Sequence, residues 1–146
     1  MRLFLGVLAY LVPTFALGFV WHLMLFDNYY RELAMYRSDV IIPFGFLSMV
    51  IQAVIFALIY ERTFTRWNGS FWSRALAYGA SGAALSWSFT TLAVAAKNVM
   101  ASVPNYLVIE TAFTAVQWLM VGPLTALAFT LPLRRDGQLS TPEATA

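Results

Sequence analysis

The sequence predicts an all-α integral membrane protein, a four-helix bundle occupying residues 1–131. Three observations carry this. Of the 146 residues, 60% are hydrophobic and only 11% are charged, against about 25% charged in an ordinary soluble domain. Long apolar runs cover about 3–26, 40–60, 73–96 and 106–131, and each reaches the ~20 residues that cross ~30 Å of hydrocarbon. No run alternates with period two, which argues against an outer-membrane barrel.

The first run opens on Arg2 and LFLGVLAYLV, the pattern of a charged start and an apolar core. Ala16-Leu17-Gly18 would serve as a cleavage site, but the apolar run continues through FVWHLMLF. An uncleaved first helix is therefore the preferred reading. Pro13 interrupts it and removes one backbone donor, so a kink is expected there. Pro43, Pro104 and Pro132 fall near run ends, where proline is tolerated. The segment from Asp27 to Asp39 mixes charges with three tyrosines and is expected to form a short amphipathic helix lying on the outer surface.

The third run, RALAYGASGAALSWSFTTLAVAA, repeats small residues every four positions. Ala75, Gly79 and Ala83 form one stripe, and Gly82, Ser86 and Thr90 a second. Small residues at this spacing let two backbones approach closely. Packing within one chain is preferred over a dimerisation face. Residues 132–146, polar and without apolar periodicity, are expected to form a short disordered cytoplasmic tail.

Charge placement sets the expected orientation. With four spans, Arg2, Arg62, Arg66, Arg74, Arg134 and Arg135 share one side, and Arg31, Arg37 and Lys97 the other. Six against three places both termini in the cytoplasm under the positive-inside rule. Trp21, Tyr29, Tyr30, Tyr36 and Tyr106 are expected to mark the outer interface, and Tyr60, Trp67, Trp72 and Tyr78 the inner one. The net charge of +2 sits between the apolar runs and forms no basic face, so nucleic acid is not an expected partner.

Polar residues inside apolar runs need partners, because lipid offers none. His22, one turn inside the end of the first run, and Glu110, one turn inside the start of the fourth, fall at similar depth. Thr90 and Thr91 of the third run fall there too. These four are the candidate polar cluster. Gln52 and Gln117 fall near mid-membrane as a candidate pair. Glu110, Thr114 and Gln117 share one helical face at i, i+4, i+7, expected to point inward. Glu110 is a functional candidate by default: paired with His22 it could carry protons or hold a cation. An interhelical hydrogen bond is the plainer reading and the preferred one.

Several chemistries lack their residues. There is no cysteine, which removes disulfides and thiolate metal sites. A single histidine permits neither an HExxH zinc site nor bis-histidine haem, and no phosphate-cradling glycine loop is present. No catalytic residue, metal ligand or cofactor is expected, and the chain is expected not to be an enzyme. Small multidrug exporters also use a glutamate in an apolar bundle, but in their first helix.

One resemblance covers much of the chain. GFVWHLMLFDNYY (Gly18 to Tyr30) and IIPFGFLSMVIQAVIFALIY (Ile41 to Tyr60) look like a family of small four-span bacterial membrane proteins, a domain of unknown function. In that family the first helix ends in Trp-His and the second carries a Pro-x-Gly-Phe-Leu-Ser-Met-x-x-Gln pattern. The resemblance implies a multi-pass protein of the bacterial cytoplasmic membrane and implies no activity. Two functions are then open. One is a non-catalytic accessory or envelope-associated protein that binds lipid, a membrane-protein partner or a second copy of itself. The other is a small transporter or channel using Glu110 and His22.

Overall fold

The computed structural model describes residues 1–37 and 39–131. The expected tail at 132–146, with Pro132, Arg134 and Arg135, lies outside the described residues. The described residues are helical, with no strand among them. Helix α1 is Arg2–Val20 and runs on as a π-helical turn, Trp21–Leu25. A short α2, Asp27–Glu32, follows. Helix α3, Ile42–Ile59, also ends in a π turn, Tyr60–Phe64. Helix α4, Phe71–Ser86, passes through a π turn, Trp87–Leu92, into a one-turn α5, Ala93–Ala95. Helix α6 is Val103–Thr130.

Three of these stretches, Arg2–Leu25, Ile42–Phe64 and Val103–Thr130, are long and apolar enough to cross a membrane. The third expected span is helical without interruption from 71 to 95, as α4, a π turn and α5, but it is not one of the three. Local chemistry sets the starts. Ser70 caps α4 by accepting from the Ser73 amide at 3.2 Å, and Ser102 caps α6 by accepting from the Asn105 amide at 3.4 Å. Pro43 and Pro104 sit in the first turns of α3 and α6, where no amide partner is lost. Pro13 lies inside α1 as expected, and Pro123 lies inside α6.

Helix α6 is the centre. Half of its most apolar window is buried, against 17% for α1 and 11% for α3. It packs against α1 and α4, while α3 packs chiefly against α1. The small-residue face of α4 is used inside the chain. A Cβ on Gly79 would come within 3.1 Å of the Trp118 carbonyl oxygen, and one on Gly122 within 2.7 Å of the Ala75 carbonyl oxygen. The backbones of α4 and α6 therefore cross at Ala75, Gly79 and Gly122. Gly82 leaves the space that the Trp118 indole fills. Ala83 is only half-buried.

The interior is aromatic and polar while the outside is apolar. Tyr10, Tyr30, Tyr60, Tyr78 and Tyr106 are wholly buried, and Phe4, Phe44, Leu47 and Leu119 are exposed. The expected aromatic belts need correction on this point. Tyr30 and Tyr106 leave the outer belt, and Tyr60 and Tyr78 the inner one, because all four pack into the bundle. Trp67 and Trp72 stay exposed.

Candidate functional site

The residues expected to form a polar layer come from three elements, the π turns after α1 and α4 and helix α6. On α1, Gly6, Tyr10, Thr14, Gly18 and His22 follow each other at intervals of four, which is one inclined stripe. On α6, Tyr106, Glu110, Thr114 and Gln117 make the facing stripe, and all four are buried. The two stripes meet, and two polar rungs join them.

At the outer rung, His22 Nε2 stands 3.4 Å from Glu110 Oε1. The tight partner of that oxygen is Tyr30 of α2, whose hydroxyl donates to it at 2.6 Å, inside the range of a hydroxyl bonded to a carboxylate. Burial, and next the Glu110 carboxylate, push the Tyr30 phenol well above its usual value, so it stays a donor. The other ring nitrogen of His22, Nδ1, lies 3.0 Å from the Gly18 carbonyl oxygen. A carbonyl only accepts, so Nδ1 carries a proton. In the neutral imidazole Nε2 is then the bare nitrogen. Nε2 is the nitrogen that faces Glu110. At 3.4 Å the pair is longer than a direct hydrogen bond. Tyr30 and Phe113 pack on the imidazole with ring centroids at 4.8 and 4.5 Å.

Tyr30 is the site residue that sequence reasoning missed. The segment from Asp27 does form a short helix, but it dips inward rather than lying on the surface. Tyr30 and Leu33 are buried against Tyr106. Asp27 and Arg31 pair on the outside at 2.8 Å. Ala34 takes a left-handed backbone, φ 54°, and ends the turn. The Leu33 carbonyl then accepts from the Ala101 amide at 3.0 Å, pinning this segment to the connection before α6. Phe26, Tyr30 and Leu33, spaced i, i+4, i+7 opposite Asp27 and Arg31, were the available signal.

Thr90 and Thr91 need a correction. Gly82 and Ser86 continue by fours to Thr90, yet Thr91 is the buried residue and Thr90 is exposed. The π turn beginning at Trp87 inserts one residue into the helical register, so the inward position after Ser86 moves from i+4 to i+5. The Thr90 hydroxyl donates to the Ser86 carbonyl at 2.7 Å, and the Thr90 carbonyl accepts from the Tyr106 hydroxyl at 2.9 Å. Thr91 Oγ1 is buried with no hydrogen-bond partner among the described residues. Neither threonine hydroxyl bonds to His22 or Glu110.

At the inner rung, Gln52 and Gln117 do not bond to each other. Tyr10 stands between them. Gln117 Nε2 donates to Thr14 Oγ1 at 3.3 Å and to the Tyr10 hydroxyl at 3.5 Å. Tyr10 donates to Gln52 Oε1 at 2.8 Å, and Gln52 Nε2 donates to Ser48 Oγ at 3.0 Å. Tyr10 and Thr14 were legible as members of the α1 stripe, since both lie at multiples of four from His22.

Beside both rungs is a cavity of about 390 Å³ between α1, α3, the π turn after α4, and α6. Phe15, Phe19, Met49 and Phe113 give it apolar walls. Thr14, His22, Gln52, Ser86, Thr90 and Gln117 give it polar points, and Tyr36 and Val40 of the α2–α3 connection cover it. Helix α3 packs chiefly against α1 and only weakly against α4 and α6, which leaves this space open. Among the described residues no group of three His, Asp or Glu side chains is placed to hold a metal ion. Compared with protein-family models, with curated proteins and with solved structures, the chain finds no match.

Proposed function

We propose that this chain is a non-catalytic, four-span protein of a bacterial cytoplasmic membrane, with both termini inside, that binds a molecule drawn from the lipid phase. The membership in a small four-span bacterial family suggested by its first two helices is part of this reading. The observation that carries the binding function is the 390 Å³ cavity. Its volume is within the ~300–1,000 Å³ usual for small-molecule sites. Its walls are apolar, its polar groups converge, and α3 flanks it with outward-facing Phe44, Leu47 and Ile51. The outward apolar faces of α1 and α3 support the membrane setting, since in water they would need a covering partner.

The test is purification in a mild detergent, with mass spectrometry of every lipid, small molecule and protein that stays bound. Gly45 lines the cavity and a Cβ there meets nothing within 4 Å, so Gly45→Leu adds bulk at the cavity wall with no clash at its Cβ. The expected result is a bound small molecule in the parent chain that is lost in Gly45→Leu. A stoichiometric protein partner, with no difference between parent and variant, refutes the cavity as the binding site.

The second reading, a proton- or ion-coupled transporter, is favoured by the placement of His22 Nε2 3.4 Å from the buried Glu110 carboxylate. It requires proton flux in liposomes that Glu110→Gln abolishes while the variant stays folded.

A further inference from the structure

The hydrogen-bonding groups left over in the cavity describe its occupant. Ser86 Oγ accepts from the indole of Trp118 at 3.0 Å. An indole only donates, so the serine's own proton points elsewhere. Thr14 Oγ1 accepts from Gln117, which likewise leaves its proton free. Neither hydroxyl donates to its own helix, whereas those of Ser81, Ser88, Thr90 and Thr111 do. Gln52 spends one amide hydrogen on Ser48 and keeps the second. The Tyr36 hydroxyl has no hydrogen bond among the described residues. Four unspent donors therefore line or cover the cavity, against one unspent side-chain amide oxygen, that of Gln117.

Charge is absent by the same accounting. No Arg, Lys, Asp or Glu is among the described residues that line the cavity. His22 has Nδ1 engaged with the Gly18 carbonyl and turns Nε2 toward the Glu110 carboxylate, 3.4 Å away. The two arginines of the covering segment are paired, Arg31 with Asp27 at 2.8 Å and Arg37 with Asp39 at 3.4 Å. An anionic headgroup would enter an apolar space with no counter-charge, which is strongly unfavourable. A carbonyl oxygen would meet donors that otherwise lack partners.

We propose that the cavity holds an uncharged amphiphile whose polar end is a carbonyl or ester, with its apolar tail in the adjoining gap between α3 and α4 lined by Ile55, Ile59, Leu85 and Phe89. This rests on the binding reading above. Two sources supply that chemistry: a lipid-soluble quinone and a neutral glyceride.

The test incubates the purified full chain with three probes in turn: a naphthoquinone carrying an isoprenoid tail, dioleoylglycerol, and dioleoylphosphatidate. Bound adducts are counted by native mass spectrometry in the parent chain, in Gly45→Leu and in Gly18→Leu. Gly18 also lines the cavity with no atom within 4 Å of an added Cβ, so two independent variants add bulk to its wall. The expected result is an adduct of the quinone or of the glyceride that falls at least ~10-fold in both variants, with phosphatidate unaffected by either. Which of the two uncharged probes binds identifies the source. Thr14→Val, which keeps the shape and deletes the hydroxyl, is expected to weaken the adduct several-fold. A phosphatidate adduct that both variants abolish overturns the uncharged class and leaves the cavity as a binding site. If no probe gives an adduct sensitive to the variants, the ligand class and the binding reading fall together.

Discussion

The Tyr30 hydroxyl and the Glu110 carboxylate should be energetically coupled, and a double-mutant cycle measures it. Tyr30 is wholly buried and its hydroxyl lies 2.6 Å from Oε1. Tyr30→Phe keeps the ring stacked on Tyr36, centroids 5.0 Å apart, and deletes only the donor. Two magnitudes compete. Hydrogen bonds to charged groups contribute about 1.5–3 kcal/mol, while side-chain bonds between membrane helices average about 0.6 kcal/mol. The larger applies here, because the bond lies under a folded connection, in a pocket shared with His22, and not against lipid. Tyr30→Phe is expected to cost about 1.5–2 kcal/mol, or about 3–8 °C in Tm at ~2–4 °C per kcal/mol for a chain of this size. Glu110→Gln retains an acceptor, so a neutral bond of about 0.5–1.5 kcal/mol survives. The coupling energy, which is the charge-dependent part, should be about 1 kcal/mol. Thermal unfolding in detergent, read by tryptophan fluorescence, supplies the four values. Tyr29→Phe is the control, since its hydroxyl makes only an exposed 3.5 Å contact, and should cost under ~0.5 kcal/mol. Additivity of Tyr30→Phe and Glu110→Gln within about 0.3 kcal/mol would mean that the two groups do not touch, and the outer rung would fall with that result.

Other outcomes follow from the same geometry. Gly122→Ala is expected to destabilise by about 1–3 kcal/mol, since its Cβ meets a backbone oxygen at 2.7 Å, whereas Gly18→Ala should be neutral or stabilising by up to ~1 kcal/mol; paired melting curves decide it. Neutral His22 should carry its proton on Nδ1, and because the chain has one histidine its ¹⁵N imidazole signals are unambiguous; an Nε2–H tautomer would contradict the Gly18 bond. The Tyr30 phenol is raised in the folded chain, so its contribution is whole below the ordinary tyrosine value near 10 and is lost as pH rises beyond it. Stability should therefore fall above about pH 10, and Tyr30→Phe should make that slope shallower by up to ~1.4 kcal/mol per pH unit.

The helices were legible because their causes are local. Apolar run length, with Pro43 and Pro104 near run ends, locates the starts within a few residues, and the Ser70 and Ser102 caps found in the structure are signals of the same local kind. The nearness of His22 and Glu110 was legible too, since depth along two antiparallel runs follows from rise per residue. What stayed hidden depends on tertiary packing. The π turn at Trp87 exchanges Thr90 for Thr91, and no propensity at WSFTTL announces the inserted residue. Tyr10 became the link between Gln52 and Gln117 only because α1 lies between α3 and α6. Gly122 was invisible as the counterpart of Gly79, because a lone glycine in an apolar run carries no partner's address. The inward turn of Tyr30 was written in the spacing of Phe26, Tyr30 and Leu33, but it was outweighed by the general preference of tyrosine for interfaces.

His22 is the one residue that belongs to both the outer rung and the cavity. Glu110 is buried and is not among the cavity walls, so a bound molecule meets the carboxylate only through the imidazole. Gly18 holds that imidazole from the far side through Nδ1. The variable left at the ring is whether Nε2, 3.4 Å from Oε1, carries a proton. A ligand packed against His22 and Phe113 changes the polarity around that nitrogen without bonding to it. If the protonation of Nε2 is unchanged as the cavity fills, the chain is a binding protein in which the His22–Glu110 contact is a strut between helices. If it changes, the same geometry couples occupancy to protonation, and the binding and transport readings become two behaviours of one site. The ¹⁵N spectrum of His22, recorded with the cavity open, narrowed by Gly45→Leu, and filled by the uncharged probes, separates the two: unchanged Nε2 shifts support binding alone, and a shift with each probe that Gly45→Leu prevents supports coupling.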